Sequence, residues 1–277
     1  MNNQATTVTQ PATTDFTAIK AKQRSAWGAG DYAVVGVTLQ LVGEQLCEAM
    51  DLRAGSRVLD VAAGNGNVSL AAARRFATVT CTDYVPALLD HAAQRAVADG
   101  LEMSFQAADV EDLPFADAEF DYVTSTFGAM FAPDHKRTAE EMFRVCRPGG
   151  TIGMANWTPD SFIGGLFKTL GGYVPPAPGL KSPALWGQVD HLRTLFPDAR
   201  TIACERRVFN LRYASPEAWL TLWQQVYGPL QKAFEALSPA DQQALEADLL
   251  RLVAAHNVAQ GDDMVVPSSY LEVIISR

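Results

Sequence analysis

No run of apolar residues in this chain approaches the roughly 20 needed to cross a bilayer, so a membrane-spanning helix is not expected. Paired cysteines are missing too. Cys47, Cys81, Cys146 and Cys204 are far apart, form no C-x-x-C motif and have no neighbouring histidine. They read as reduced, mostly buried thiols of a cytoplasmic protein, and no metal site is expected. Basic charge is scarce, with 22 Lys and Arg against 31 Asp and Glu and a net charge of −9, which argues against a nucleic-acid backbone as partner. The first residues, MNNQATTVTQPATTDF, lack a basic n-region and an apolar core, so they are not a secretory signal; residues 1–15 read as a disordered leader. Histidine is rare. His91, His135, His191 and His256 all fall in or beside helical patterns and are expected to be structural, with the last two the remaining candidates for a base. No internal repeat is evident.

A hydrophobic fraction of 48% with 19% charged residues is that of a globular protein, and 277 residues hold one elaborated α/β domain or two small ones. Residues 16–52 read as helical, with Leu39, Leu41, Val42, Leu46 and Met50 at helical spacing. Strands are expected at Arg57–Val61, Thr78–Thr82, Met103–Ala107, Phe120–Ser125 and Thr151–Asn156, with helices near 67–76, 86–99 and 135–146 between them. Such alternation predicts a parallel sheet with right-handed crossovers. Arg147-Pro148-Gly149-Gly150 is expected to turn the chain into the fifth strand. Beyond Trp157 the pattern changes: residues 158–190 are rich in Gly and Pro, Arg206–Tyr213 reads as a strand, 216–258 as helical, and Met264–Ser276 holds a last strand. The chain therefore divides into N-terminal helices with a nucleotide-binding core (16–156), a cap and acceptor region with one sheet strand (157–263), and a final strand (264–277).

The most informative stretch is Val58-Leu59-Asp60-Val61-Ala62-Ala63-Gly64-Asn65-Gly66-Asn67, followed by Val68-Ser69-Leu70. A buried strand ends in an acid, passes through small residues and opens a helix, as the first unit of a nucleotide-binding sheet does. At Gly64 or Gly66 a side chain would keep a ligand off the backbone. The dinucleotide fingerprint wants a third glycine where Ser69 stands, and no Tyr-x-x-x-Lys pair is present, both of which disfavour an NAD(P)-dependent reductase. Asp60 also suits a ligand bearing an ammonium group better than a pyrophosphate. Asp83 closes the second strand 19 residues after Gly64, the spacing at which an acid reaches ribose hydroxyls; otherwise it would cap the helix starting near Pro86.

Together these residues resemble motif I of the class I S-adenosylmethionine-dependent methyltransferases, with Ala62 where that family carries its first glycine. The L-P-F segment at 113–115 and R-P-G-G at 147–150 are most similar to the ubiquinone/menaquinone-biosynthesis methyltransferase-like branch. The resemblance implies a Rossmann-like, seven-stranded, mostly parallel sheet with helices on both faces and an added helical cap. It implies S-adenosylmethionine as methyl donor and S-adenosylhomocysteine as product, seated on Asp60, Ala62, Gly64, Asn65, Gly66 and Asn67. Asp83 would meet the ribose, Tyr84 the adenine face, and Asp109 with the Val110 N–H the adenine edge. Ser125, Thr126, Phe127 and Met130 would pass beneath the sulfonium and methionine portion, Met130 being equally readable as core.

The acceptor side is less marked. Trp27, Tyr32, Phe127, Trp157 and Trp186 are candidates for an aromatic acceptor pocket and its lid, because all five tryptophans lie outside the nucleotide-binding core and Trp27–Tyr32 includes a Gly-rich turn. Neither the N-P-P-Y tetrapeptide of amino-methylating nucleic-acid enzymes nor an acidic metal cluster is present. The expected acceptor is a small, apolar or aromatic molecule. No catalytic base stands out, homo-oligomerisation is left open, and a non-catalytic cofactor-binding protein is the other alternative.

Overall fold

A computed structural model describes residues 15–277, so all of the expected leader except Asp15 lies outside the described residues. The chain begins with α1 (Phe16–Trp27), α2 (Tyr32–Gly36) and α3 (Gln40–Ala49). It then alternates through β1 (Arg57–Asp60), α4 (Asn67–Arg74), β2 (Thr78–Asp83), α5 (Pro86–Ala98), β3 (Ser104–Ala107), β4 (Phe120–Thr126), α6 (His135–Val145) and β5 (Cys146–Trp157). The remainder is α7 (Phe162–Tyr173), α8 (Val189–Leu195), β6 (Thr201–Tyr213), α9 (Pro216–Val226), α10 (Gly228–Ala236), α11 (Pro239–His256) and β7 (Met264–Ser276).

The seven strands form one sheet in the order β3-β2-β1-β4-β5-β7-β6. Strands β1 to β5 pair in parallel, whereas β7 runs antiparallel to both β5 and β6. Adjacent residues of β1 point to opposite layers: Val58 packs with Leu46, Cys47 and Val68 from α3 and α4, while Leu59 joins Met142 and Val145 from α6. Helices thus cover both faces, and the central strands are apolar on both sides, as a parallel sheet requires. The strand order reverses between β1 and β4, which opens a crevice at the carboxyl ends of these strands.

Several elements differ from the sequence expectation. Strand β5 already starts at Cys146, with a register irregularity between Phe120 and Tyr122 of its partner, so Arg147–Gly150 is a deformed part of the strand and not a free turn. Strand β6 begins at Thr201 because it pairs with β7 along its whole length. The Gly- and Pro-rich stretch after Trp157 contains α7, where the buried side chains of Phe162, Ile163 and Leu166 outweigh the low helix propensity of its four glycines. Helices α7, α9 and α11 each start behind a serine (Ser161, Ser215, Ser238) whose hydroxyl accepts the N–H three residues on. These helices pack on one another as the cap, and α1 lies against α10. None of the described helices is long and apolar enough to cross a membrane. All four cysteines are free thiols, three of them buried and Cys204 half-buried.

Two glycines give opposite expectations. A Cβ on Gly128 would lie 2.0 Å from the Ala62 carbonyl oxygen, where the β4 end crosses the loop after β1, whereas one on Gly171 of α7 would meet nothing within 4 Å. Gly128→Ala should destabilise the fold by roughly 1–3 kcal/mol through overpacking. Gly171→Ala should stabilise it by about 0.5–1 kcal/mol through helix propensity. Urea unfolding of both variants checks this; equal and opposite signs to those stated would show the packing to be otherwise.

Candidate cofactor cleft and acceptor chamber

The loop after β1 is built from left-handed backbone: Ala62 (φ 48°), Gly64 (φ 56°) and Gly66 (φ 79°) bring the chain from strand into α4 within a few residues. For Ala62 this is strained, since a side chain crowds the backbone at positive φ. The loop is pinned by the Gly64 N–H, which donates to Asp83 Oδ2 at 2.9 Å, and by the Ala63 N–H, which donates to the Thr82 carbonyl at 2.9 Å. The other oxygen of Asp83 accepts the Val85 N–H at 2.9 Å. Asp83 is therefore both a cap of the α5 entry and part of the cleft wall. Burial pushes its pKa up to about 6, with the N–H groups of Val85, Gly64 and Tyr84 acting in the opposite direction.

The crevice at the β1/β4 switch is a cleft with about 820 Å³ of empty space, part of it open to solvent. Ala62, Gly64, Asn65, Asn67, Asp83, Tyr84, Asp109, Val110, Thr126 and Phe127 line it, as do Trp27 and Tyr32 from the N-terminal segment. Other expected residues stand elsewhere. Asp60 does not line the cleft: it is 1% exposed and turned under the loop, accepting the Ser69 N–H (3.0 Å), the Ser69 hydroxyl (2.6 Å) and the Thr124 hydroxyl (3.1 Å). It joins α4 to β4, and burial pushes its pKa up to about 6 as well. The space above Gly66 belongs to helix packing, because a Cβ there would lie 2.9 Å from the Ala92 side chain. Ser125 donates to the Val61 carbonyl and accepts the Ala129 N–H, both at 2.9 Å, and Met130 is fully buried in the core. Both serve the fold beneath the cleft.

Asp109 is brought to the cleft, and a cation of the chain itself meets it. Lys20 of α1 reaches Asp109 Oδ2 at 2.6 Å and Glu111 at 3.0 Å. Partial burial works against the ammonium, but its hydrogen bonds to Asp109 and Glu111 prevail and hold its pKa above the ordinary lysine value. The N-terminal segment is tied down further along. Asn67 Nδ2 donates to the Gly36 carbonyl (2.7 Å), and the Arg95 guanidinium donates to the Asn65 carbonyl (2.6 Å) and Asn67 Oδ1 (2.8 Å). Gln23 of α1 donates to the Phe131 carbonyl at 2.9 Å.

Behind the cleft lies an inner chamber that shares Trp27, Tyr32, Leu39, Phe127 and Phe131 with it. Trp157, stacked on Phe127 at 3.9 Å and 8°, forms one wall; Trp223, Tyr227, Tyr213, Phe209 and Leu211 form the other. Trp27 meets Tyr32, Phe131 and Tyr227 edge-on at 4.9–5.6 Å between ring centroids. Among the described residues, no Asp, Glu, Lys, Arg or His lines the chamber. Burial pushes Tyr32 up to about 12, with Asp83 adding to the effect, so its hydroxyl keeps its proton at neutral pH. Trp186 is not part of this site: it is fully buried against His135 and Phe196.

Sequence reasoning missed Lys20, Gln23, Thr38, Tyr213 and Tyr227 as lining residues. The spacing of Trp219, Trp223 and Tyr227, one helical turn apart, carries a signal for the chamber wall, whereas Lys20 and Tyr213 stand in no motif. The four histidines lie outside both cavities. His135 Nδ1 and His191 Nε2 are 2.9 Å apart, His256 Nδ1 is 3.0 Å from the Leu252 carbonyl, and His91 is 3.6 Å from Asp31. Among the described residues, no group of three or more His, Cys, Asp or Glu is placed to hold a metal ion.

A family model described as a methyltransferase domain matches residues 58–150, the segment from β1 into β5. An uncharacterized protein of Mycobacterium tuberculosis is 42% identical over 235 residues, covering 83% of this chain and 86% of that protein. The demethylmenaquinone methyltransferase of Deinococcus radiodurans is 33% identical over 166 residues, 57% of this chain and 69% of that protein. Among solved structures, the YcgJ protein of Bacillus subtilis superposes with a TM-score of 0.58 at 18% identity, covering 87% of this chain and 98% of that one, and shares its fold.

The histidine pair yields a pH expectation. Burial, with the neighbouring His191 and Lys181 adding to it, lowers the pKa of His135 to about 4, and burial lowers that of His191. A histidine pKa depressed on folding contributes stability above the unfolded value near 6.5, and that stability is lost as pH falls toward 4. Asp60 and Asp83, raised to about 6, have the opposite slope over the same interval. Urea unfolding from pH 7 to 4.5 should therefore show a smaller loss of stability for His135→Gln than for the unsubstituted protein. An identical slope would mean that the pair does not stay neutral.

Proposed function

The chain belongs to the class I S-adenosylmethionine-dependent methyltransferases, and we propose that it methylates a small, largely apolar aromatic molecule held in the inner chamber. The observation that carries this reading is the series of two cavities. A cleft lined by carboxylates, Lys20 and glycine backbone shares Trp27, Tyr32, Leu39, Phe127 and Phe131 with an adjoining chamber that, among the described residues, has no charged side chain.

The cleft residues fit the cofactor. Asp83 is buried and, among the described residues, has only backbone N–H groups as hydrogen-bond partners; its raised pKa marks an electrostatic need that ligand hydroxyls or a nearby cation would meet. Gly64 leaves its backbone bare, with Tyr32 3.4 Å from where a Cβ would be. In this reading Gly64, Asn65 and Asn67 seat the amino-acid end, Asp83 accepts from the ribose, and Asp109 with Val110 faces the adenine, Asp109 exchanging Lys20 for that contact. Bound there, S-adenosylmethionine supplies a methyl group made electrophilic by its sulfonium.

The chamber residues align and desolvate. Phe127 and Trp157 offer a rigid stacked wall for a planar ring, and Trp27 with Tyr32 closes the side toward α1. Holding two reactants in line in this way lowers a barrier by roughly 7–11 kcal/mol in favourable cases. With no carboxylate or imidazole in the wall and Tyr32 held protonated, the acceptor enters with its nucleophile ready, as an amine, thiolate, enolate or phenolate. The net charge of −9 favours such a small-molecule partner over nucleic acid, and four unpaired thiols go with a cytoplasmic setting.

A screen of aromatic acceptors with labelled donor tests the proposal, scored by methylated product and by S-adenosylhomocysteine. Trp157 lines the chamber but not the cleft, so Trp157→Ala should lower turnover at least tenfold while S-adenosylhomocysteine affinity, measured by calorimetry, stays within about twofold. Unchanged turnover in this variant would place the acceptor elsewhere.

A further inference from the structure

Of the three tyrosines in the chamber wall, Tyr213 is the one whose hydroxyl is hydrogen-bonded to a neighbour among the described residues. It is the last residue of β6, half-buried, and the Trp223 indole N–H donates to its oxygen at 2.7 Å. An indole nitrogen only donates, so the tyrosine oxygen must accept, and its own O–H hydrogen is left for another partner. Among the described residues no acceptor engages that hydrogen. Thr38, by contrast, spends its hydroxyl hydrogen on the Val35 carbonyl at 2.7 Å. Trp223 is itself fixed, 4% exposed and packed against Trp219 and Tyr227 at 5.5 and 4.7 Å between centroids. The pair is thus a fixed donor in an uncharged, mostly aromatic wall, whereas no hydrogen bond among the described residues orients the Tyr32 and Tyr227 hydroxyls; it faces the same space as the stacked Phe127 and Trp157.

We propose that Tyr213, oriented by Trp223, is a specificity-determining residue that selects acceptors carrying a hydrogen-bond-accepting oxygen on a planar ring. The assignment rests on the reading of the inner chamber as the acceptor site. A wall with one directed donor and no anion gives such an oxygen a partner, while leaving a plain hydrocarbon ring with an unpaired O–H to bury. A site built to hydrogen-bond an oxygen discriminates against the analogue lacking it more sharply than an apolar pocket discriminates by size. Burial keeps the Tyr213 hydroxyl protonated, and the Trp223 bond opposes that only in part, so it acts as a donor at neutral pH.

The test compares 2-naphthol with naphthalene, each titrated into the protein saturated with S-adenosylhomocysteine. The expected result is binding of 2-naphthol at least tenfold tighter than naphthalene. Tyr213→Phe keeps the ring and its packing, and should bind naphthalene as the unsubstituted protein does while losing most of the preference. Trp223→Phe, checked for an unchanged melting temperature, should retain naphthalene binding with a reduced preference. Equal affinity for the two probes in the unsubstituted protein, or a preference that survives Tyr213→Phe, overturns the assignment while naphthalene binding still supports an aromatic chamber. Failure of both probes to bind overturns the chamber reading together with it.

Discussion

The hydrogen bond from the Gly64 N–H to the buried Asp83 carboxylate is the contact on which the site depends. It joins the end of β2 to the loop after β1, and through Val85 the same carboxylate sets the start of α5. One strand over, Asp60 joins the first turn of α4 to β4 through Ser69 and Thr124. Two carboxylates, each raised to about 6 chiefly by burial, thus hold the loop in shape, with no cation of the described residues paired to either. Because their pKa values rise on folding, they favour the native state at acid pH and cease to do so as pH climbs past about 6. Of the two, only Asp83 faces the cleft.

From this bracket the rest of the site follows in order. The loop positions bare backbone at Gly64, and Gly128, confined by the Ala62 carbonyl, brings Phe127 over the same opening. Phe127 itself has left-handed backbone (φ 55°) and stacks on Trp157, so a strained residue forms the boundary between cleft and chamber. The N-terminal helices complete both cavities: Lys20 and Gln23 of α1 border the cleft, Trp27 and Tyr32 border both. Charge is thereby sorted between the two cavities, with carboxylates and Lys20 in the cleft and, among the described residues, only aromatic, aliphatic and hydroxyl-bearing side chains in the chamber.

Much of the framework was legible because it rests on short-range pattern. The alternation from Arg57 to Asn156 predicts a parallel sheet and the later pattern two more strands, and the structure has both, with β7 the strand that runs antiparallel to its neighbours. Gly64 and Asp83, picked out by their spacing, do line the cleft, whereas Gly66 does not. What spacing cannot supply is the side-chain direction set by tertiary contacts. Asp60 and Asp83 both end strands, yet the Ser69 and Thr124 hydroxyls draw the first under the loop while only the second reaches the cleft. Met130, readable by position as site or core, and Trp186, a pocket candidate, are both core by packing. Helix α7 was hidden by its glycines, and Tyr213 by its distance in sequence from every motif; it enters the site only because β6 pairs with β7 through its final residue.

Carbon-detected NMR titration of the Asp83 carboxyl, without ligand and with S-adenosylmethionine, tests the central claim most directly. Without ligand the group should titrate near pH 6. With the cofactor bound, ribose hydroxyls and the nearby positive charge should lower that value to about 5 or below, and less so with S-adenosylhomocysteine, whose sulfur is uncharged. An Asp83 titration that is the same in the free and bound protein would contradict the placement of the cofactor against this carboxylate.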